Sequence, residues 1–316
     1  MSTLKTAIEY IKQRKFKELI FRGRLFMKCH SGGLRYRLIN KINKDKYKIV
    51  TVNGSKMYIH LDDDGISKDL YLYKEREKFA TECMKSFIKE DDVIIEIGAN
   101  IGYYVLLENK IAKKGKIFAL EPMPFSRKLL TRNVKLNNVE NVEIYPFAIG
   151  DQNKEQEFYI YKEINISSFN PNPYGNLVLT KKVRIMTLDN FIEKYLGDTP
   201  PTVLRMDVEG FEYNVIKGAM NTIRNCNELR IFMEIHPHIL SQEQLNELLD
   251  ILENNNFKIK TVTNECVPHV YPYLDNKIWD SIEEVPYGCI GNDISYEDLK
   301  KYLRINRGSE VFFEKN

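Results

Sequence analysis

The side chains able to do chemistry gather in five short runs, each closing an apolar segment. In the first, Glu96-Ile97-Gly98-Ala99-Asn100-Ile101-Gly102-Tyr103-Tyr104, two glycines stand four residues apart. Lacking a Cβ, Gly98 and Gly102 let the main chain turn tightly and come close to a ligand. The acidic Glu96 would repel a pyrophosphate and suits a ligand with an ammonium group. Asn100 stands where the dinucleotide fingerprint GxGxxG requires its second glycine, so that fingerprint is absent. The second run, Phe118-Ala119-Leu120-Glu121-Pro122, places Glu121 19 residues after Gly102. A carboxylate there can accept hydrogen bonds from both hydroxyls of an adenosine ribose. Alone, the glycine pair could be a plain turn and Glu121 a helix-cap neighbour. Together they describe an adenosine ligand with a positive, amino-acid-like end, which is S-adenosylmethionine.

The third run, Pro146-Phe147-Ala148-Ile149-Gly150-Asp151, offers the small Ala148 to line an adenine slot, although a strand-end turn accounts for it nearly as well. The fourth, Val203-Leu204-Arg205-Met206-Asp207-Val208-Glu209-Gly210-Phe211-Glu212, carries two acids at a strand end, where a reactive methyl would lie. The fifth, Met233-Glu234-Ile235-His236-Pro237-His238, adds an imidazole to the same rim. A hydroxyl attacking a sulfonium methyl must lose its proton. His236 has the ordinary pKa for that work, and Asp207 or Glu209 could serve or orient it. Asp207, Glu209, Glu234 and His236 could also converge on a hard metal. Carboxylates at strand ends are more often simply hydrogen-bonded, so no metal is expected.

These runs need a scaffold, and the chain supplies one. From residue 93, apolar strands alternate with amphipathic helices: strands at Val93–Ile97, Ile117–Leu120, Val142–Phe147, Val203–Met206, Arg230–Ile235 and Phe257–Val262, with helices near 102–112, 125–137, 211–224 and 241–254. That alternation predicts a mostly parallel α/β sheet covered on both faces, with ligands at the strands' C-terminal ends. Glu157–Tyr161 and Val183–Ile185 read as extra strands of an insertion, and Val311–Phe313 as an antiparallel strand at the sheet's end. Upstream, Lys48–Val52 and Lys56–Leu61 alternate around Asn53-Gly54, a hairpin signal. Asp62-Asp63-Asp64-Gly65 is a turn, since the remaining ligands of a calcium loop are missing. A helix is expected from about Leu70 to Phe87, with Phe79, Cys83, Met84 and Phe87 on one face.

The 316 residues suit one large α/β unit with an extension, and 43% hydrophobic against 29% charged residues is globular composition. No apolar run is long enough for a transmembrane span, and the N-terminus lacks a signal-peptide core. The five scattered cysteines, without CxxC spacing, suit a reducing compartment, and a cytoplasmic location follows. Residues 1–48 hold nine Lys and five Arg against Glu9, Glu18 and Asp45, a net of +11; the chain as a whole carries +3, leaving −8 on the other 268 residues. Leu4, Ile8, Ile11, Leu19 and Ile20 recur at helical spacing within this basic arm, and a second basic stretch runs from Leu34 to Ile42. Such helices either pack on their own domain with a solvated basic face, the favoured reading, or lie on an anionic membrane surface. Nucleic acid is disfavoured by the acidic body.

Met206-Asp207-Val208-Glu209-Gly210-Phe211-Glu212, with the Glu-Ile-Gly-Ala-Asn-Ile-Gly-Tyr-Tyr run, Glu121-Pro122, Thr187-Leu188-Asp189 and Glu234-Ile235-His236, resembles the FkbM-type S-adenosylmethionine-dependent methyltransferases over roughly residues 50–262. The resemblance implies a Rossmann-like methyltransferase fold with a seven-stranded sheet, and O-methylation of sugar or natural-product hydroxyls. It implies cofactor contacts at Glu96, Gly98, Asn100, Gly102 and Glu121, with Asp207 near the methionine end. Tyr103, Pro122 and Ala148 complete the candidate cofactor set, and His236, Asp207 and Glu209 the candidate base cluster. Two positions depart mildly from the family pattern: Glu96 where Asp is common and Arg205 where Lys is usual.

Asn165-Ile166-Ser167-Ser168-Phe169 could meet cofactor or acceptor, or be a solvated loop. Asn170-Pro171-Asn172-Pro173-Tyr174 looks like the motif of amino-group DNA methyltransferases but precedes the working strand end, so it is read as a decoy. Tyr271, Tyr273, Trp279 and Tyr287 could stack on a sugar or form a satellite core. The expected organisation is a basic extension over 1–48 and a methyltransferase domain over 49–316, with core 70–262 and C-terminal elaboration 263–316. The expected function is O-methylation of a hydroxyl on a sugar of a glycan, glycolipid or related metabolite. A nicotinamide oxidoreductase shares the sheet and the ribose acid, but the missing GxGxxG opposes it. A non-catalytic membrane-surface module using the arm is a second rival. Acceptor identity and a homo-oligomeric state stay open.

Overall fold

The computed structural model describes residues 32–162, 167–171, 175–265, 282–285, 288–304 and 308–315. A helix, α1 (residues 32–42), leads into the hairpin β1 (Tyr47–Val52) and β2 (Ser55–His60). Asn53 and Gly54 turn it with φ of 48° and 71°, the positive pair a type I′ turn demands. Tyr36, fully buried, ties α1 down by donating its hydroxyl to the Asp63 carbonyl at 2.9 Å. The expected arm helix around Leu4–Ile20 lies outside the described residues.

One long helix was expected over 70–87; the chain instead forms α2 (Ile66–Tyr73) and α3 (Lys78–Phe87). Lys74 and Glu77 take left-handed φ values of 62° and 47° between them. The break turns Arg76 and Glu77 inward, where Tyr103 and Tyr104 hold them. The Tyr103 hydroxyl donates to the Arg76 carbonyl at 2.6 Å, and the Tyr104 hydroxyl to Glu77 Oε2 at 2.7 Å. The buried residues of α3 are accordingly Ala80, Thr81 and Met84, with Phe79, Cys83 and Phe87 only half-buried.

The α/β core follows: β3 (Val93–Ile97), α4 (Tyr103–Ile111), β4 (Lys116–Leu120), α5 (Pro124–Leu136) and β5 (Val142–Tyr145). The chain then leaves the main sheet. Short β6 (Ala148–Ile149) joins β7 (Lys154–Tyr161) and β8 (Leu177–Met186) in a separate three-stranded sheet, ordered β6-β8-β7. After α6 (Leu188–Tyr195) the main sheet resumes with β9 (Val203–Met206), α7 (Glu212–Lys217), α8 (Met220–Asn225), β10 (Arg230–Ile235), α9 (Gln242–Asn254) and β11 (Phe257–Glu265). β12 (Ile282–Val285), β13 (Gly288–Asn292), α10 (Tyr296–Leu303) and β14 (Ser309–Lys315) close the described chain.

The main sheet has nine strands, ordered β12-β13-β11-β14-β10-β9-β3-β4-β5, rather than the seven expected. The run β10-β9-β3-β4-β5 is parallel. β14 is antiparallel to both neighbours, as expected in sense but not in place: it lies between β10 and β11, not at the sheet's end. Its alternating Val311 and Phe313, both fully buried, face one layer of core while Phe312 stacks on Phe232 in the other. An end strand would leave one of those faces wet. Helices α1–α5 cover one face and α6–α10 the other, the Rossmann-like α/β arrangement. Strand order reverses at β3, so the crevice at the C-terminal ends of β3, β4 and β9 is where such a sheet holds a ligand.

Candidate active site

A cleft enclosing about 620 Å³, partly open to solvent, sits at those strand ends. Gly98 (φ 84°) forms its floor. An added Cβ there would lie 2.2 Å from the Asp207 carbonyl oxygen, so only glycine lets β3 and β9 end side by side. The Asn100 amide, at φ 48°, donates to Glu121 Oε2 at 2.8 Å, and the Met123 amide to Glu121 Oε1 at 2.7 Å. Each Glu121 oxygen is thus pinned by one main-chain N–H and keeps acceptor capacity toward the cleft it lines. Burial pushes this carboxyl up to about 7, against those two hydrogen bonds. Pro122 and Ala148 line the cleft with it, and Phe158, Phe169 and Phe211, contributed by the insertion and the β9–α7 turn, wall the far side.

Asp207 ends β9 and borders both this cleft and a smaller cavity beside it. Its Oδ1 is buried with no hydrogen-bond partner, as is Asn100 Oδ1 on the same two surfaces. Glu209 follows at φ 50°, a left-handed conformation that strains a side chain of its size. Burial raises its carboxyl to about 7; the His236 charge opposes that rise, and Asp207 and Glu212 add to it. His236 Nε2 lies 3.5 Å from Glu209 Oε2 and 3.5 Å from Glu234 Oε1, while Nδ1 is 2.7 Å from Glu212 Oε1. Burial disfavours the imidazolium, but Glu209, Glu234 and Glu212 outweigh it and hold the His236 pKa well above its ordinary value. His236 lines neither cavity and backs Glu209, which does line the cleft.

Glu96 lies beside the cleft rather than on it. Its carboxylate is buried and bonded to Arg205 Nη1 at 2.9 Å, and it borders only the smaller cavity. Arg205, stacked 4.0 Å over the Tyr104 ring, also reaches Asp207 Oδ2 at 3.7 Å. Unpartnered oxygens of Glu96 (Oε2), Asn100 and Asp207 all border the smaller cavity and are the acceptors available to an ammonium. Gly102 (φ 90°) lines neither cavity; a Cβ there would meet Leu130 Cδ1 at 2.6 Å, so it serves packing of α4 on α5. Tyr103 borders the smaller cavity, but its hydroxyl is committed to Arg76, Asn53 and Thr81.

Other motif residues are structural. Asp189 of the Thr-Leu-Asp segment accepts from the Asn221 and Thr222 amides, capping α8. Asn170 of the decoy motif donates to the Gly210 carbonyl at 2.9 Å, bracing the β9–α7 turn, while residues 172–174 lie outside the described part. Ser167 lines the cleft; Asn165, Ile166 and the tail aromatics Tyr271, Tyr273, Trp279 and Tyr287 are outside the described residues. The sequence reading missed Arg76 and Glu77 in the helix break and gave Glu212 no role. Among the described residues, two groupings could hold a metal, Asp207–Glu209–His236 and Glu77–Glu234–Glu310.

A family model described as the methyltransferase FkbM domain matches residues 96–259. The hexuronic acid methyltransferase AglP of Haloferax volcanii is 28% identical over 156 residues, 47% of this chain and 57% of that protein. The uncharacterized protein MJ1452 of Methanocaldococcus jannaschii is 31% identical over 186 residues, 58% of this chain and 64% of that one. The chain thus spans less than two thirds of the length of either relative. A methyltransferase FkbM structure from Methylobacillus flagellatus superposes with a TM-score of 0.40 at 16% identity, over 64% of this chain and 44% of that one.

Proposed function

Since the chain belongs to the FkbM methyltransferase family, we propose that it transfers a methyl group from S-adenosylmethionine to a hydroxyl, on a sugar of a glycan, glycolipid or related metabolite. One observation carries the reading: a single cleft is lined both by Glu121, fixed by two main-chain amides, and by Glu209, whose carboxyl sits near neutrality. The donor set fits the cofactor. Glu121 offers acceptors to a ribose diol, and the unpartnered Asp207 and Asn100 oxygens suit an ammonium. A cleft walled by Glu121, Asp207 and Glu209 would repel a pyrophosphate, which disfavours the nicotinamide alternative.

When bound, S-adenosylmethionine supplies an electrophilic methyl. Glu209 takes the proton of the acceptor hydroxyl, and His236, fixed by Glu212, holds Glu209 in place from behind. The larger part of the acceleration comes from alignment within the cleft, proton removal being worth roughly 10²–10⁴-fold. The sugar acceptor draws support from the hexuronic acid methyltransferase relative. Incubation with labelled S-adenosylmethionine and fractionated cell glycans, glycolipids and metabolites tests it. Label is expected in carbohydrate, absent with Glu121→Ala and strongly reduced with Glu209→Gln; label confined to polypeptide overturns the acceptor.

The arm's role belongs to the same proposal. Leu34, Leu38 and Ile42, 59%, 59% and 70% exposed, form one stripe of α1 beside exposed Arg35, Arg37 and Lys41. A basic amphipathic helix of that kind matches an anionic membrane surface. Among the described residues no helix is long and apolar enough to cross a membrane. Flotation with phosphatidylserine vesicles is expected to recover the protein and to fail for Leu34→Asp with Leu38→Asp; equal recovery of both rejects the contact.

A further inference from the structure

Glu77, Glu234 and Glu310 bring carboxylate oxygens within 4.8 Å of one another from three separate elements: the α2–α3 break, β10 and β14. Ligands around one ion can be separated by at most twice the metal–oxygen distance, roughly 4–5 Å for Mg²⁺ and Ca²⁺. Two further facts point to a ligand rather than to a bare acidic patch. Glu310 is only 6% exposed, and neither of its oxygens has a hydrogen-bond partner. Among the described residues, no Lys, Arg or His nitrogen pairs with it within 4.0 Å. Glu310 also lies directly across from Glu234 in the β10–β14 ladder. Like charges in that position oppose strand pairing, yet the two strands pair over six positions in the interior of the sheet.

The nearby cations are already engaged. Arg76 pairs with Glu77, His236 Nε2 lies 3.5 Å from Glu234 Oε1 and Arg205 pairs with Glu96, so among the described residues Glu310 alone of the trio is left without a cation. We propose that Glu77, Glu234 and Glu310 form a binding site for one hard divalent cation of the Mg²⁺, Mn²⁺ or Ca²⁺ class. All-oxygen ligation selects such ions over softer ones. The ion binds the two facing strands to the helix break, and Glu77 places it in the wall of the smaller cavity. The site stands apart from Glu121 and does not depend on the methyl-transfer reading.

The test uses the full chain stripped with EDTA and titrated with Mn²⁺, free ion being read by electron paramagnetic resonance. One Mn²⁺ per chain is expected. Affinity should fall at least tenfold in Glu310→Gln and in Glu234→Gln, and clearly less in Asp207→Asn, which removes only a neighbouring charge. Circular dichroism melts check that each variant folds, and the second glutamine variant carries the test if the first does not. No Mn²⁺ bound at about 1 mM, the weak end of protein sites for such ions, overturns the proposal and leaves a shared proton between Glu234 and Glu310. So does a loss in Asp207→Asn as large as in Glu310→Gln, which puts the ion on the Asp207–Glu209–His236 grouping. Calorimetry with S-adenosylhomocysteine on the metal-free chain decides the cofactor reading separately.

Discussion

Replacing Glu121 by Gln tests the cofactor site most sharply. The wild-type carboxylate accepts one main-chain N–H on each oxygen, at 2.8 and 2.7 Å, and has one lone pair per oxygen left for a hydroxyl. Glutamine keeps one of these oxygens. Its NH₂ must then face either the Asn100 or the Met123 amide, donor against donor, so that side can no longer take a ribose hydroxyl. A hydrogen bond to a charged acceptor is worth about 1.5–3 kcal/mol, so affinity for S-adenosylhomocysteine should fall roughly 10- to 150-fold. The measurement is titration calorimetry with S-adenosylhomocysteine and with its 2′,3′-dideoxy analogue. The variant should lose affinity for the first and little for the second, since the analogue has no diol to lose. Equal losses for both ligands, with a folded protein, would mean that Glu121 only shapes the loop and that the ribose lies elsewhere.

Three further outcomes follow from the geometry. Glu209 is raised to about 7 from an ordinary 4.5, so kcat should climb as pH rises through about 7, and Glu209→Gln should flatten the profile. The stability contributed by that proton is present below 4.5 and disappears as pH rises through 7, so melting temperature should move oppositely to rate. Gly98→Ala forces a Cβ to within 2.2 Å of the Asp207 carbonyl at φ 84°; handedness alone costs roughly 1–2 kcal/mol before the clash, and denaturant melts should show at least that loss. Asp189→Ala uncaps α8 and should cost about 0.5–2 kcal/mol while leaving S-adenosylhomocysteine affinity intact, a contrast that separates scaffold from site.

What could be read from the sequence was local. The strand at Val93–Ile97, the Asn53-Gly54 hairpin and the acids at 121, 207 and 209 each announce themselves within a few residues, and the structure keeps them where the pattern puts them. The α2–α3 break was hidden because the apolar period runs on through it. The charged trio Glu75-Arg76-Glu77 was the visible signal, and a solvated helix face would look the same. Partner choice was equally hidden. Glu96 reads as a free acid until β9 lays Arg205 beside it in register, and His236 reads as an isolated imidazole until Glu209 of the β9–α7 turn, Glu212 of α7 and Glu234 of β10 are seen around it. The Glu96–Arg205 pair and the contacts of His236 with Glu209 and Glu212 span more than 20 residues, which composition and spacing do not encode.

The position of β14 also bears on how the molecule is made. Its residues 309–315 insert between β10 and β11, roughly 80 and 50 positions earlier in the chain. During synthesis those two strands must therefore wait, each presenting an unpaired edge of Met233, Ile235, Ile259 and Val262 neighbours to whatever is nearby. Assembly of this sheet cannot finish from the N-terminus forward; it waits for residues 309–315 to emerge. A ribosome-bound or truncated chain lacking that segment should hold the β3–β5 half as a native-like nucleus and be prone to join other chains along the open seam.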